Sequence, residues 1–486
     1  MLQTLPVEIL HRIIGNLPVK TILALRQVSK PFNKVTRDRS TWAHAYRSSA
    51  LVRPPGPFPW QTAEMLESSL VQSAQLSLNW PPNPNATPIQ SRVIPIGRQR
   101  SVSLVCGRWL VTNTASHIMC FDLDYRESST AILGPYAILY QCPRDSQIHD
   151  LRIKETFLRE RSGDENHPCA FVVATYFNHL LSKMTTTLFS IILTDGMFPT
   201  MYMVPSNFPY PDDEEAMHVV DIGPKLLVMF AHIPEIEDAL FTHVETYQQY
   251  KFQARGSEHL NDDYKFNGKI VVISSTHILV IRSYRDDVCK LHIQAYRVPS
   301  SQGPASVAQV VPHTLQLSHE CSVASTYPDE GDYWTLLRDS NLDPLTGVVH
   351  ITVSAECNSH RYISVLSFNL HPAPNNLVGS ITVENLSINI PIRHPPSISI
   401  YFLPTLNGSA RSAAIYRELG VIHVAAVVLD DEGEADTLRA VDSDMRCFRD
   451  LHLKYADSRQ VAFDPYRGRI VTYDYDQGHA TIFDFV

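Results

Sequence analysis

The chain of 486 residues lacks any apolar run long enough to cross a membrane. Its N-terminus also lacks the basic region and apolar stretch of a secretory signal. The 8 cysteines form no Cys-x-x-Cys pair and no dense framework, which is typical of a protein kept in a reducing compartment. A cytoplasmic or nuclear location is therefore expected.

Positive charge is not in excess, since 41 lysines and arginines stand against 50 aspartates and glutamates. The net charge of −9 predicts no general attraction to nucleic acid or to an anionic membrane. A hydrophobic fraction of 44% is ordinary for a globular protein, and 33 prolines indicate many turns. At this length we expect either two domains or a small module followed by a large closed architecture.

The motifs of common catalytic chemistries are missing. There is no Gly-x-Ser-x-Gly elbow, no His-Glu-x-x-His helix, no phosphate-binding loop and no dinucleotide fingerprint. The best metal candidate is the pair Cys357 and His360, with His350 and His371 nearby, but no second tight pair completes a four-ligand zinc site. We therefore expect no catalytic residue, no cofactor and no metal, although spacing alone does not test for a triad.

Residues 5–46 have the pattern of three short helices. Pro6 suits the first turn of one helix, and Pro18 ends it and opens a second helix that should reach about Val28. Ser29 can cap the third. Apolar residues recur at helical spacing: Ile9, Leu10, Ile13, Ile14, Leu17, Ile22, Leu25, Val28, Phe32, Val35, Trp42 and Tyr46. So small a unit buries little surface alone, and a partner on its remaining apolar face would stabilise it.

Three stretches of this region resemble the F-box family: Leu5-Pro6-x-Glu8-Ile9-Leu10, Leu25-Arg26-x-Val28-Ser29-Lys30-x-Phe32-Asn33, and the closing Trp42. The resemblance covers residues 1–47 and implies docking on a Skp-type adaptor, which is held by a cullin-RING ubiquitin-ligase scaffold. It also implies nine adaptor-binding residues: Leu5, Pro6, Ile9, Leu10, Leu17, Leu25, Val28, Phe32 and Trp42. The alternative is an amphipathic helical start that only packs on the rest of the chain.

Residues 48–88 are predicted to be a linker that contains one more helix. The PPGPFP run at 54–59 should form an extended, fairly stiff spacer. Thr62 can cap a helix that braces the helical module against the next domain. Its expected buried stripe follows four-residue steps: Leu66, Leu70, Ala74 and Leu78. The PPNPNATP run at 81–88 should be linker again.

From residue 89 to 486 short β-prone runs replace the helical period. GRWLVT and IMCFDL, between 107 and 123, share a scheme with GRIVTY and ATIFDF, between 468 and 485, and similar openings begin at 268, 347 and 420. These degenerate repeats predict a mainly β domain, a β-propeller of roughly seven blades with eight possible. The pattern resembles the propeller-like C-terminal regions of fungal F-box proteins, although Trp-Asp dipeptides are absent. The alternatives are a pair of β-sandwiches and a leucine-rich horseshoe.

A closed ring would bring the two ends of this domain into one sheet. The run RVIPI at 92–96 should therefore pair with ATIFDF at 480–485, and Pro95 restricts it to the edge of that sheet. Residues 234–267 look like a long insertion, and the acidic runs at 211–215 and 429–436 look like solvated loops.

These patterns together predict a non-catalytic substrate-recognition subunit of a ubiquitin ligase. The helical module would dock the ligase, and loops of the β domain would hold an unknown target protein near the ubiquitin-charged enzyme. No particular residue is predicted to contact that target. The alternative is a propeller enzyme or small-ligand-binding protein whose F-box serves only as a tether.

Overall fold

The computed structural model describes most of the chain in segments. They are residues 5–49, 51, 53–54, 56–57, 61–79, 90–124, 136–155, 168–180, 182–192, 199–203, 218–222, 226–230, 240–243, 249–251, 267–272, 277–285, 289–297, 313–324, 333–342, 349–357, 360–371, 379–391, 398–401, 411–418, 421–428, 460–464 and 466–485. In these segments a helical N-terminal part precedes a region of strands. No helix among them is both long and apolar enough to cross a bilayer.

The helices begin where the prolines and hydroxyl caps of the sequence predict. Pro6 and Pro18 are the N-caps of the first two helices, and the Ser29 hydroxyl accepts a hydrogen bond from the Phe32 N–H at 3.4 Å at the start of the third. The helices are α1 (Val7–Gly15), α2 (Val19–Leu25), α3 (Lys30–Val35), α4 (Arg39–Ser48) and α5 (Ala63–Asn79).

The prediction of only three helices before the linker is wrong, because the third one divides after Val35. The Asp38 carboxylate accepts a hydrogen bond from the Ser40 N–H at 2.7 Å and caps α4. The Thr36 carbonyl, left free at the end of α3, accepts hydrogen bonds from Trp42 Nε1 at 2.8 Å and from an Arg26 guanidinium N–H at 3.0 Å. Four helices therefore form this domain, and α5 follows them.

Helix α5 completes the core of the helical domain. Leu66 and Leu70 are fully buried in one cluster, whose other buried members are Leu10, Ile14, Ile22, Val35, Trp42, Ala43, Ala45 and Tyr46. The Thr62 hydroxyl caps α5 as predicted, because it accepts a hydrogen bond from the Met65 N–H at 3.3 Å.

The predicted stripe of α5 is wrong at its C-terminal end. Leu78 is 54% exposed, whereas Leu76 is only 5% exposed. An α-helix has 3.6 residues per turn, so three four-residue steps from Leu66 drift by about 120° around its axis. The buried face therefore continues through Leu76.

Part of the proline-rich connector packs on α4, a contact that the prediction of an extended, fairly stiff spacer did not include. Arg53 Nε donates to the Tyr46 carbonyl at 2.6 Å, and the Tyr46 hydroxyl donates to the Pro54 carbonyl at 2.6 Å. These bonds satisfy buried polar groups at the end of α4, and burial raises the pKa of Tyr46 to about 12. Residues 81–88, predicted to be linker, lie outside the described segments.

The β region begins with an edge strand and two four-stranded antiparallel sheets. The edge strand is β1 (Gln90–Pro95). The first sheet has β2 (Ser101–Val105), β3 (Trp109–Asn113), β4 (His117–Asp122) and β5 (Tyr136–Gln141). The second sheet has β6 (Ser146–Glu155), β7 (Pro168–Asn178), β8 (Lys183–Ile192) and β9 (Thr200–Met203). The predicted hairpin of β3 and β4 is confirmed, with Trp109 opposite Asp122.

A five-stranded sheet follows, and its strands are β10 (His218–Ile222), β11 (Leu226–Phe230), β12 (Leu240–His243), β13 (Gln249–Lys251) and β17 (His313–Thr314). The first four pair antiparallel in sequence order, and β17 adds a short parallel pair to β13. The prediction that residues 234–267 are an insertion is therefore wrong, since β12 and β13 belong to this sheet. Their few β-prone residues stand between polar runs, which hid them from a search for longer apolar alternation.

An eight-stranded sheet consists of two antiparallel halves. The first half has β14 (Asn267–Val272), β15 (His277–Arg285), β16 (Cys289–Arg297) and β18 (Gln316–Ala324), and the second has β19 (Tyr333–Leu342), β20 (Val349–Cys357), β21 (His360–His371) and β22 (Gly379–Pro391). A parallel contact of only two residue pairs joins β18 to β22. A three-stranded antiparallel sheet has β23 (Ile398–Tyr401), β24 (Arg411–Glu418) and β25 (Val421–Val428).

The last sheet joins both ends of the β region. Its strands, in sequence order, are β26 (Gln460–Asp464), β27 (Arg469–Asp474) and β28 (His479–Asp484), and β1 pairs with β28 at the edge. Val93 lies opposite Thr481 and Arg92 opposite Ile482. The prediction that these two runs share one sheet, with Pro95 on an edge strand, is confirmed.

Several of the contacts between sheets, and the contact between the two halves of the eight-stranded sheet, involve first strands, whereas the second and third sheets meet through β7 and β10. Strand β2 lies against β26 and β6, β14 lies against β10 and β19, and β19 lies against β23. Buried residues of the first and last sheets form a shared core: Ile96, Val102, Leu110, Phe121, Leu123, Ala462, Val471, Tyr473, Ala480 and Ile482. These contacts do not establish a closed ring, and the propeller of roughly seven blades stays a prediction.

Candidate functional site

Helix α1 carries apolar residues on two sides. Leu10 and Ile14 point into the core of the helical domain and are buried. Leu5, Ile9 and Ile13, which recur at four-residue steps, are 36%, 43% and 42% exposed. We call these three residues the outer stripe. Ile9 and Ile13 share a face of α1, and Leu5 precedes the N-cap residue Pro6. Exposed aliphatic side chains grouped in this way are typical of a surface that a partner covers.

The other predicted adaptor-binding residues differ in their exposure. Pro6 and Val28 are exposed, and Leu17, Leu25 and Phe32 are half-buried. Leu10 and Trp42 are buried, and the fully buried Trp42 has no surface to offer a partner.

Two exposed residues of the first helix were not among the predicted site residues, namely Val7 and Ile13. The four-residue step from Ile9 to Ile13 was the signal for the second of them, because positions i and i+4 share a helix face.

Trp42 and Arg26 support the surface from inside. The Arg26 guanidinium stacks 5.6 Å from the centre of the Trp42 ring, and both side chains donate to the same carbonyl, that of Thr36. Arg26 also forms an ion pair with Glu67 of α5, with Nη1 2.7 Å from Oε1. This arrangement fixes the end of α2 to α3, α4 and α5 at once.

The turn between α2 and α3 is held by polar residues of the F-box-like pattern. Asn33 Nδ2 donates to the Arg26 carbonyl at 3.1 Å, and the Ser29 hydroxyl caps α3. Val28 and Phe32 lie within this turn and its following helix. The pattern positions Ser29 and Asn33 are therefore structural, since they hold the backbone that presents the apolar neighbours.

The strand register does not bring all residues of the metal candidate together. Cys357 lies opposite His360 at one end of the β20–β21 pair. His350 lies opposite Ser367, seven residues along β20, and about 3.3 Å per residue separates it from Cys357 by roughly 23 Å. Among the described residues, no group of His, Cys, Asp and Glu side chains is arranged to hold a metal ion. The acidic runs at 211–215 and 429–436 lie outside these residues.

A charged network joins the first sheet to the last. Arg469, with only 8% of its side chain exposed, pairs with Asp484 at 2.5 Å and with Asp124 at 2.9 Å. Arg469 Nη1 also donates to the Gly107 carbonyl at 2.6 Å, and Arg467 pairs with Asp124 at 2.7 Å. We call this contact between the first and last sheets the seam.

Two carboxyl groups at the seam have shifted pKa values of opposite sign. Burial alone would raise the pKa of Asp124, but Arg469 and Arg467 outweigh it and hold that pKa below its ordinary value. Burial raises the pKa of Asp464, although N–H groups of Arg467 and Tyr466 oppose the rise. The seam is thus a structural network, in which arginines stabilise the charge of Asp124 and burial disfavours the charged form of Asp464.

The helical domain also corresponds to a known family. Residues 2–48 match the family model described as F-box-like, which confirms the F-box-like domain that the sequence predicts at the N-terminus. F-box domains generally bind Skp-type adaptors. No curated protein matches the chain.

Proposed function

We propose that this chain is the substrate-recognition subunit of an SCF-type cullin-RING ubiquitin ligase, and that its F-box-like domain docks a Skp-type adaptor. The observation that carries the proposal is the outer stripe, which lies within the part of the chain that matches the F-box-like family. Full burial of an aliphatic side chain is worth about 1.5–3 kcal/mol, so a partner that covers Leu5, Ile9 and Ile13 gains substantial free energy.

The β region is proposed to bind a target protein. We propose that its sheets form a seven-bladed propeller, because several neighbouring sheets or half-sheets meet along their first strands and β1 joins the last sheet. Loops at the rim of such a ring are its usual contact surface. The chain itself would perform no catalytic step and would use no cofactor, since a ligase acts on a bound target by proximity. A cytoplasmic or nuclear location belongs to the same proposal.

The docking half is tested by the double variant Ile9→Glu with Ile13→Glu in the full chain. Two carboxylates on the outer stripe should abolish co-purification of a Skp-type adaptor, because a charge buried in an apolar interface is strongly unfavourable. The control is Leu180→Glu, which places one carboxylate at an exposed leucine in the turn between β7 and β8. It should leave the adaptor bound. Equal adaptor recovery with both variants would contradict the proposal.

The target half is tested with the same variants. Proteins that co-purify with the wild type, apart from ligase components, should also co-purify with the double variant. Their ubiquitination should require the wild type, because only it brings the target to the ligase. If targets were lost together with the adaptor, the proposal that the helical domain binds the adaptor and the β region separately binds the target would be wrong.

A further inference from the structure

Helix α5 is attached at its N-terminal half to the F-box-like domain. Leu66 and Leu70 are fully buried in the helical core. Arg39 Nε donates to the Gln61 carbonyl at 2.7 Å just before the helix, and Glu67 pairs with Arg26. This half of α5 therefore cannot leave the helical domain without exposing two leucines and breaking an ion pair.

The C-terminal half of α5 is attached to the last β-sheet. Leu76 is buried, and it packs over Gly468 so closely that a methyl group on this glycine would overlap its side chain. Gly468 has a φ of +60°, a conformation that favours glycine, and lies in the turn between β26 and β27. Because α5 is one continuous helix, its two attachments are rigidly connected.

Gly468 lies between the two arginines that hold the seam together. Arg467 and Arg469 both bind Asp124 of the first sheet. The Leu76 side chain thus presses on the turn whose flanking residues carry the ion pairs between the two ends of the β region. Any shift of this turn would alter the geometry of both arginines.

We propose that α5 is a clasp, in which Leu76 holds the β26–β27 turn so that the F-box-like domain and the seam are stabilised together. The inference goes beyond the proposed function, because it concerns contacts within the chain and holds whether or not an adaptor binds. If an adaptor binds as proposed, α5 keeps the ligase bound to the F-box-like domain at a fixed distance from the target-binding surface of the β region. Coupling of this kind is reciprocal, so a change at either end is measurable at the other.

The first test compares Leu76→Ala with Leu78→Ala by amide hydrogen exchange on the full chain. The two changes are identical in chemistry and lie on the same helix, but Leu78 is exposed. Leu76→Ala should speed exchange in β26–β28 at least tenfold, because it leaves a cavity over the turn. Leu78→Ala should have no such effect. The proposal is overturned if Leu76→Ala leaves this exchange unchanged, or speeds it equally in β6–β9.

The second test starts from the sheet and reads the helical domain. Gly468→Ala forces Leu76 away, whereas Gly97→Ala imposes a similar left-handed strain at a φ of +73° with room for the methyl group. Exchange in α5 should increase at least tenfold for the first variant and not for the second. Equal exchange in α5 for the two glycine variants would overturn the proposal even if Leu76→Ala failed to fold.

Discussion

Replacing Arg469 by methionine should weaken the seam more than any single surface change. The substitution keeps an unbranched apolar stem but leaves Asp124 and Asp484 without their shared cation, and the Gly107 carbonyl loses a donor. Removing one partner of a buried ion pair typically costs 3–5 kcal/mol, and the 8% exposure of Arg469 places it in this class. We expect a loss of about 3 kcal/mol in the free energy of unfolding, measured by urea denaturation at neutral pH.

Arg152 provides a surface control for this experiment. It lies in β6 of the second sheet and pairs with Asp150 at 3.0 Å, and 36% of its side chain and 49% of that of Asp150 are exposed. An exposed ion pair contributes about 0–1 kcal/mol, so Arg152→Met should cost at most about 1 kcal/mol. Equal losses for the two variants would refute the distinction between a buried network and a surface pair.

The pH dependence of the Arg469→Met effect follows from Asp124. Its pKa is lowered in the folded chain, so its contribution to stability is present above the ordinary value of the unfolded chain and is lost as the pH falls through the folded value. The difference in stability between wild type and Arg469→Met should therefore narrow below about pH 4. A difference that stays constant from neutral to acid pH would contradict this assignment.

Four further variants test other parts of the structure. Asp464→Asn should stabilise the chain at neutral pH, because the raised pKa of Asp464 means that burial disfavours its charged form. Asp464→Ala should instead cost about 1–3 kcal/mol, because it leaves the N–H groups of Tyr466 and Arg467 unpaired. Thermal melts compare the two variants, and a destabilised Asp464→Asn would contradict this reasoning. Deleting residues 481–486 should lower the melting temperature of the β region sharply, because it removes most of β28 and the buried side chains of Ile482, Phe483 and Phe485. An unchanged melting temperature would argue against closure through this sheet. Trp42→Phe should destabilise the helical domain by about 2 kcal/mol in urea unfolding, because it removes a buried hydrogen bond and leaves a cavity. An unchanged free energy of unfolding would show that Trp42 does not stabilise this domain.

Local signals predicted the parts of the fold that depend on neighbouring residues. Pro6, Pro18 and Ser29 start the first three helices as their chemistry requires. The Gly-Arg openings and aromatic-aspartate endings correctly marked hairpins in the first and last sheets. The pairing of β1 with β28 was also predictable, since an apolar run near each end of a domain gains by sharing a sheet.

Contacts between distant elements were not predictable from spacing. The apolar pattern of α1 contains Ile9 and Leu10 alike, and only the packing of α4 and α5 decides that Leu10 faces inward while Ile9 forms the outer stripe. The same holds for Arg469, whose partner Asp124 is far away in the sequence. The break before α4 was missed for a different reason, because Asp38 is an ordinary surface residue until its carboxylate caps a helix.

The central claim is that the outer stripe of α1 docks a Skp-type adaptor. Amide hydrogen exchange of the full chain, with and without a purified adaptor, tests it most directly. We predict slower exchange at residues 5–17 and 25–33 when the adaptor is present, and no slowing in the variant with Ile9→Glu and Ile13→Glu. Slowing confined to the β-sheets, or equal slowing in wild type and variant, would contradict the claim.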